Sequence, residues 1–304
     1  MRMTYFRAPL ALATVALAAT AIAACGSDDS DSGTTTADSG SITATKDAAI
    51  AEQVPAKYRD AGTLSVASDA SYPPMEFIKE GTNEIIGADP DLATALGQVM
   101  GVKLNLENVP FDSILAGIEA DKYDLGMSSF TDTKEREQQV DFVTYLTAGT
   151  SFFEKADAPS NVNSLADLCG KKVAVQKGTT QADDAEAQSE KCTKAGDPKV
   201  DLLVFPDQNG ANNALISGRA QVGMADSPVA AYQVQKTKGE LKLTGEDYGE
   251  APYGIAVPKD SGLADPMLAA LKKLIDGGQY EAILKKWGLE NGAIDDPKIN
   301  GAID

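Results

Sequence analysis

Two adjacent stretches decide the fold class: TLSVASDASYPPMEF at residues 63–77 and GADPDLATALGQVMG at residues 87–101. The first begins with a run containing β-branched residues, 63–67, that predicts a strand ending in a polar turn. In the second, Asp89-Pro90 has the order of a helix cap followed by proline at the first helical position. Apolar side chains then recur at helical spacing, and Gly101 predicts the end of the helix. A strand followed by a helix begins a parallel βαβ unit.

The same alternation of strand and helix patterns continues in two series along the chain. Further strands are predicted at residues 102–106, 123–127, 171–175, 200–205 and 220–224. Two such series predict an α/β protein of two lobes, each a mostly parallel sheet flanked by helices. We expect lobe one to comprise residues 54–148 and a returning segment, 252–304, that ends in helices. Lobe two would comprise residues 149–251, and two crossings near 147–151 and 249–253 would form the hinge.

Polar clusters follow the predicted strands at their carboxyl ends. They are residues 69–72 and 128–131 in the first series, and 178–180 and 226–227 in the second. Open α/β sheets bind ligands outside the carboxyl ends of their strands. Two lobes that present such edges to each other would therefore form a binding cleft.

The first 24 residues have the pattern of a secretory signal. Arg2 and Arg7 precede an apolar, alanine-rich run from Ala8 to Ala24, which is short for a membrane span. Ile22-Ala23-Ala24-Cys25 resembles the lipobox of bacterial lipoproteins, which implies cleavage before Cys25 and lipidation of its thiol, for example with palmitate. The alternative is an ordinary signal peptide, cut at an Ala-x-Ala site beside a chance cysteine. Residues 25–53 are interpreted as the lipidated cysteine and a disordered tether, since their first part is Ser, Asp, Thr and Gly with few apolar residues.

Charge and composition exclude several classes of function. The net charge of −18 argues against nucleic acid and anionic lipid as partners. The chain has no histidine and three cysteines, which excludes histidine-based triads and ordinary zinc sites. With Cys25 lipidated, Cys169 and Cys192 remain, and in an exported protein an even pair predicts a disulfide. The alternative is a pair of buried free thiols.

Many motifs, in the same order, resemble family 3 of the bacterial extracellular solute-binding proteins, the polar amino acid receptors of ABC importers. They are residues 68–77, 87–93, Thr133-Lys134-Glu135-Arg136, 140–142, 173–180, 218–222, 226–228, 253–257 and 276–287. The resemblance covers nearly everything after Leu64 and implies the two-lobed, type II periplasmic-binding-protein-like fold. Two residues depart from the pattern: Asp132 stands at a position that is usually apolar, and Ala88 replaces a common aromatic residue.

The resemblance implies where the charged ends of an amino acid would bind. Arg136 would bind the α-carboxylate, because a planar guanidinium forms two parallel hydrogen bonds to a carboxylate. Ser129 and Thr131 would donate to the same carboxylate, and Thr180 lies at a predicted helix start, where free backbone amides attract an anion. Asp226 would bind the α-ammonium. Without the motif, Arg136 would be read as a solvated surface charge and Asp226 as a helix cap.

The remaining positions that the resemblance implies would contact the ligand side chain. Tyr72 and Phe111 match aromatic rings that enclose it, although two core aromatics are the alternative. Asp69 matches a position near its distal end, where a carboxylate favours a cationic or amide side chain. The expected ligand is therefore a polar or basic amino acid, such as glutamine or a basic amino acid.

The implied function is that of a monomeric, lipid-anchored receptor outside the cytoplasm that delivers an amino acid to an ABC permease and its ATPase. No catalytic residue, metal or other cofactor is expected. Two alternatives come from other classes of function. One is a cyclohexadienyl or arogenate dehydratase on the same fold, which would need a general acid in the cleft. The other is a sensor module that reports an amino acid to a partner.

Overall fold

The structure is a computed structural model that describes residues 42–303. The predicted signal peptide and Cys25 lie outside the described residues, as does most of the predicted tether. The α-helices of the described part are α1 Ala48–Gln53, α2 Ala56–Ala61, α3 Ala88–Met100, α4 Ile114–Glu119, α5 Thr180–Ala195, α6 Gln208–Ile216, α7 Ser227–Lys236, α8 Ala264–Asp276 and α9 Gln279–Trp287. The strands are β1 Thr63–Ser68, β2 Ser71–Tyr72, β3 Glu76–Ile78, β4 Ile85–Ile86, β5 Lys103–Asn108, β6 Leu125–Thr131, β7 Val140–Lys155, β8 Lys172–Gln176, β9 Asp201–Phe205, β10 Val222–Asp226 and β11 Leu241–Pro258.

The main sheet contains eight strands in the order β5-β1-β6-β11-β7-β10-β8-β9. Strands β5, β1 and β6 are parallel and form lobe one, and β10, β8 and β9 are parallel and form lobe two. The long strands β7 and β11 run antiparallel to each other and pass through both lobes. Their pairing is irregular between Thr244 and Ala251, which is where the chain crosses between lobes. The chain therefore passes between the two lobes along this pair of strands.

The α/β class and its two series of parallel strands are confirmed. One detail differs from the expectation of separate sheets, because the hydrogen-bonded ladder continues from one lobe to the other through β7 and β11. Strand β6 also extends beyond the predicted 123–127 and includes the polar residues 128–131. It does so because Phe130 and Thr131 pair with Gly254 and Tyr253 of β11.

Two local expectations were wrong. The sequence predicts a tether that extends to residue 53, but residues 48–53 form α1, whose start is capped by the Asp47 carboxylate. This helix forms because Ile50 and Ala51 are buried in the core of lobe one. Asp89 was expected to cap α3, but Gly87 is the capping residue and the Asp89 side chain is fully buried.

The predicted disulfide between Cys169 and Cys192 is confirmed, with 5.6 Å between the two Cα atoms. It links the turn before β8 to helix α5. In this part of the core, Cys192 packs with Leu168, Val173 and Val200. The bond therefore fastens the helix to the sheet of lobe two.

The single tryptophan, Trp287, lies at the end of α9 and donates its indole N–H to Asp91 at 2.7 Å. The Phe77 ring of β3 lies edge-on to Trp287, with 5.9 Å between ring centroids. On its other side Phe77 lies 6.2 Å from Tyr232 of α7, in lobe two. These three rings therefore form a row that links the lobes.

Across residues 42–303, every helix is too short or too polar to cross a bilayer.

Candidate functional site

A small cavity of about 10 Å³ lies between the lobes. All eight residues that the sequence assigned to ligand binding line it. The complete lining is Asp69, Tyr72, Glu76, Phe111, Ser128, Ser129, Thr131, Arg136, Gln176, Thr179, Thr180, Gln181 and Asp226. The lining is mostly polar and contains side chains of both charges.

The strand ends place these side chains. Asp69 directly follows β1, and residues 128–131 form the end of β6. Gln176 and Asp226 are the last residues of β8 and β10 in the other lobe. The carboxyl ends of the parallel strands of both lobes thus face the same space, as the rule for open α/β sheets predicts.

Arg136 begins a short 3-10 helix after β6 and reaches across the cleft. Its Nη1 donates to the carbonyl of Thr131 at 2.9 Å, and its Nη2 donates to the carbonyl of Gly178, in lobe two, at 3.0 Å. The guanidinium lies 5.8 Å from the centroid of the Phe111 ring. Partial burial lowers the pKa of Arg136, although a guanidinium stays charged at any physiological pH. The site therefore holds a permanent cation whose hydrogen-bond directions are fixed.

Asp226 is the N-cap residue of α7, but its side chain makes no hydrogen bond to the helix amides. Its Oδ2 accepts from the Tyr72 hydroxyl at 2.8 Å, and its Oδ1 accepts from Nε2 of Gln181 at 2.8 Å. Burial raises the pKa of Asp226, while the hydrogen bonds from Tyr72 and Gln181 oppose this shift. The carboxylate is thus oriented from both sides, by Tyr72 of lobe one and Gln181 of its own lobe.

Asp69 lies at another part of the lining and is also held by both lobes. Its Oδ2 accepts from the backbone amide of Phe111 and from Nε2 of Gln176, each at 3.0 Å. Burial raises the pKa of Asp69. The Phe111 ring stacks on Phe130, with 4.6 Å between centroids, and also lines the cavity. Phe111 therefore belongs to the core and to the site at once.

Ser129 occupies a strained position and is already engaged by carboxylates. Its φ is +52°, which is uncommon for a residue with a side chain. Its amide donates to Asp89 at 3.2 Å and its hydroxyl donates to Glu76 at 3.3 Å. Thr131 and Thr180 also line the cavity, Thr131 at the end of β6 and Thr180 in the first turn of α5.

Sequence reasoning missed Glu76 and Gln181 as lining residues. Glu76 is fully buried, and its Oε1 accepts from the Ser128 hydroxyl at 3.0 Å. Burial, followed by repulsion from Asp89, raises the pKa of Glu76 well above its usual range. A carboxylate inside the otherwise apolar run 73–77 was the available signal. Gln181 had the weaker signal of following the Thr179-Thr180 helix start.

Further bonds cross the cleft beside the cavity. The Ser71 hydroxyl accepts from the amide of Gln208 at 3.1 Å, and Lys177 pairs with Asp112 at 2.7 Å. With the contacts of Tyr72, Gln176 and Arg136 described above, they hold the lobes against each other. The structure is thus a closed arrangement of the two lobes.

Comparison with known proteins agrees with this geometry. Residues 64–290 match the model of the bacterial extracellular solute-binding proteins, family 3. The arginine-binding protein ArgT of Corynebacterium glutamicum is 35% identical over 83% of this chain and 82% of its own length. A solved ancestral arginine-binding protein bound to arginine is 34% identical, with a TM-score of 0.68 over 74% of this chain and 98% of that one.

A second ancestral arginine-binding protein, bound to glutamine, is 36% identical, with a TM-score of 0.67 over 74% of this chain and 97% of that one. The fold, the cleft and these matches lead to one assignment: the chain belongs to the bacterial extracellular solute-binding proteins, family 3.

Proposed function

We propose that this protein binds a free amino acid with a cationic side chain, foremost arginine, between its lobes and delivers it to the permease of an ABC importer. One observation carries the proposal. A single cavity contains a guanidinium and a carboxylate for the two charged ends of an amino acid, and a further carboxylate for its side chain.

The α-carboxylate of the ligand would lie beside Arg136. Its guanidinium is well suited to two parallel hydrogen bonds with a carboxylate. Thr180 begins the 16-residue helix α5, whose free backbone amides and helix dipole favour an anion. The α-ammonium would lie beside Asp226, whose carboxylate is held by Tyr72 and Gln181.

The side chain of the ligand would lie towards Asp69 and Glu76. Once Arg136 and Asp226 are matched by the ligand's own charged ends, the buried Asp69 carboxylate has two hydrogen-bond donors but, among residues 42–303, no ion-pair partner. A buried charge without a partner is costly, so a cation there is favoured and a second carboxylate is opposed. The relatives named for arginine support this choice, and the ancestral protein bound to glutamine makes a neutral amide the second candidate.

Isothermal titration of the purified protein with arginine, lysine, glutamine and glutamate tests the proposal. We expect the tightest binding for arginine, weaker binding for lysine and glutamine, and none for glutamate. Asp69→Asn is a matched change, because it keeps the size of the side chain and removes its charge. It should weaken arginine binding by about 1.5–3 kcal/mol and glutamine binding much less. The proposal fails if none of the four amino acids binds.

The setting of the receptor is part of the same proposal. A lipidated Cys25 would hold a monomer on the outer face of the cell membrane, near its permease and ATPase. Replacement of Cys25 by serine should release the protein from the membrane into the medium, and persistence in the membrane fraction would contradict the anchor.

The receptor would bind its ligand without converting it, so incubation with prephenate or arogenate should produce no phenylpyruvate or phenylalanine.

A further inference from the structure

The last part of the chain lies outside the region that matches the family. The match ends at residue 290, and we call residues 298–302 the terminal segment. The residues that line the cavity all lie between Asp69 and Asp226, so the terminal segment is not among them. It nevertheless contacts the part of lobe one that carries Arg136.

The terminal segment is fastened along β7. The amide of Lys298 donates to the Thr144 hydroxyl at 2.8 Å, and the amide of Thr144 donates to the carbonyl of Lys298 at 2.9 Å. Asn300 exchanges two bonds with Phe142: its side-chain oxygen accepts from the Phe142 amide, and its own amide donates to the Phe142 carbonyl, each at 2.9 Å. Residues 298–300 thus follow the strand in a defined register.

From β7 the terminal segment reaches the loop 131–138. The amide of Gly301 donates to Oδ2 of Asp132 at 2.7 Å, and the amide of Ala302 donates to Oε1 of Glu137 at 3.2 Å. Glu137 is also paired with Lys134 at 3.0 Å. Two carboxylates of one short loop therefore bind consecutive backbone amides of the terminal segment.

The same loop determines where the Arg136 guanidinium points. The amide of Arg136 donates to the Thr133 hydroxyl at 3.2 Å, and its guanidinium donates to the Thr131 carbonyl. Asp132 and Glu137 lie on either side of Arg136 in sequence. Their bonds to Gly301 and Ala302 restrain the loop at both of its ends.

Asp132 is the residue that departs from the apolar pattern of the family's motif. Its side chain is only 1% exposed, and within the described residues its Oδ1 has no hydrogen-bond partner. Burying a carboxylate costs free energy that an apolar residue would not require. In this chain the Asp132 carboxylate accepts the hydrogen bond from the Gly301 amide, which an apolar residue could not do.

We propose that the terminal segment, held by Asp132 and Glu137, is a positioning device for Arg136. It restrains the loop 131–138 so that the guanidinium is already aimed at the α-carboxylate when the ligand arrives. Restraint before binding reduces the ordering cost that binding must otherwise meet. The inference rests on the proposed function, because it deepens the role of Arg136 in binding an amino acid.

The test compares purified wild type with a chain that ends at Pro297, and with Asp132→Ala and Asp132→Asn. Arginine affinity is measured by titration. The shortened chain and Asp132→Ala should bind arginine roughly 5- to 30-fold more weakly, since each loses the restraint. Asp132→Asn should bind arginine with near-normal affinity, because its side-chain oxygen can still accept from the Gly301 amide. A shortened chain that also carries Asp132→Ala should lose no more affinity than either change alone, because both changes remove the same contact.

A control separates positioning from stability. Ile50→Ala removes a buried side chain of α1, far along the chain from the loop, and should lower Tm with arginine affinity unchanged. Hydrogen exchange in peptides covering 131–139 gives a second readout that needs no ligand. Exchange there should be several-fold faster in the shortened chain than in Ile50→Ala.

The outcomes distinguish the two proposals. Wild type that binds no amino acid would defeat the proposed function, while the exchange measurement would still decide whether the terminal segment restrains the loop. Wild type that binds arginine, with affinity within twofold in the shortened chain, would overturn the positioning role even if the loop exchanged faster. If Asp132→Asn bound arginine as weakly as Asp132→Ala, the positioning role would be overturned as well.

Discussion

Arg136 contacts both lobes through backbone carbonyls, at Thr131 and at Gly178. A side chain that donates in both directions helps to close the cleft and also presents a cation inside it. Its sequence motif predicted the second role. The first role depends on the position of Gly178, which is 42 residues away along the chain. The motif 133–136 does not indicate this contact.

Replacing Arg136 by alanine should therefore weaken arginine binding strongly. We expect a loss of about 2–5 kcal/mol, or at least ~30-fold in Kd, because the α-carboxylate would be enclosed without its partner. Titration measures the loss, and Arg136→Lys is the matched control that keeps the charge but not the planar pair of donors. An alanine variant that binds arginine as tightly as wild type would refute the assignment.

The affinity for a cationic ligand should depend on pH through Asp69. Burial raises the pKa of this carboxyl group, and a cation beside it favours the ionised form. Arginine binding should therefore release a proton and weaken as the pH falls through the raised pKa, by at most about tenfold per pH unit for one proton. Titrations from pH 8 to pH 5 measure the slope, and Asp69→Asn should flatten it. A slope that Asp69→Asn leaves unchanged would assign the effect to another group.

Helix α1 is the element that the sequence prediction misplaced in the tether. Its Asp47 cap accepts from the amides of Ala49 and Ile50 at 3.0 and 3.2 Å, and pairs with Lys273 of α8 at 2.7 Å. Four of the six residues of α1, AAIAEQ, are apolar, but nothing in this short stretch identifies the distant helix α8 as the partner on which it docks. Tertiary packing decides whether such a short helix forms.

A chain that begins at Val54 should accordingly be less stable than one that begins at Ile42. Losing the burial of Ile50 and the cap of α1 should cost about 2–4 kcal/mol of unfolding free energy. Thermal denaturation should show a Tm lower by at least ~5 °C. Equal Tm values for the two chains would show that α1 adds nothing to the core.

The six parallel strands could be predicted from sequence to within a few residues, because β-branched runs alternate with helical spacing. The long crossing strands β7 and β11 were not predicted. Arg136, Asp226 and Tyr72 could be placed in the cleft because each belongs to a motif with local order. Gln181 lies outside these motifs, and its role depends on Asp226. Gln176 lies within the motif 173–180, but it contacts Asp69 only because the lobes are closed. The contact of Gly301 with Asp132 joins residues 169 positions apart and lies partly outside the family's pattern. No local spacing encodes it.

The molecule as a whole combines a strongly acidic surface with several buried acidic groups. Burial raises the pKa of Asp89 to about 6 and that of Asp132 to about 7. A carboxyl group whose folded pKa is raised binds more protons in the folded state than in the unfolded state. Its contribution to stability is present at low pH and is lost as the pH rises through the raised values.

Stability should therefore be higher at pH 5 than at pH 8, and repulsion within a net charge of −18 acts in the same direction. Calorimetry should show a Tm at least ~3 °C higher at pH 5. Asp132→Asn removes one of the titrating groups and should reduce the difference. A Tm that rises from pH 5 to pH 8 would contradict the expected direction.

The row of rings formed by Trp287, Phe77 and Tyr232 has an optical consequence. Indole emission responds to its surroundings, and here the only indole of the chain neighbours a phenyl ring that also approaches the opposite lobe. Separation of the lobes would draw Tyr232 away and admit water near Phe77. The protein thus contains a natural fluorophore for following its own opening, without any attached dye, and Tyr232→Leu should diminish the signal.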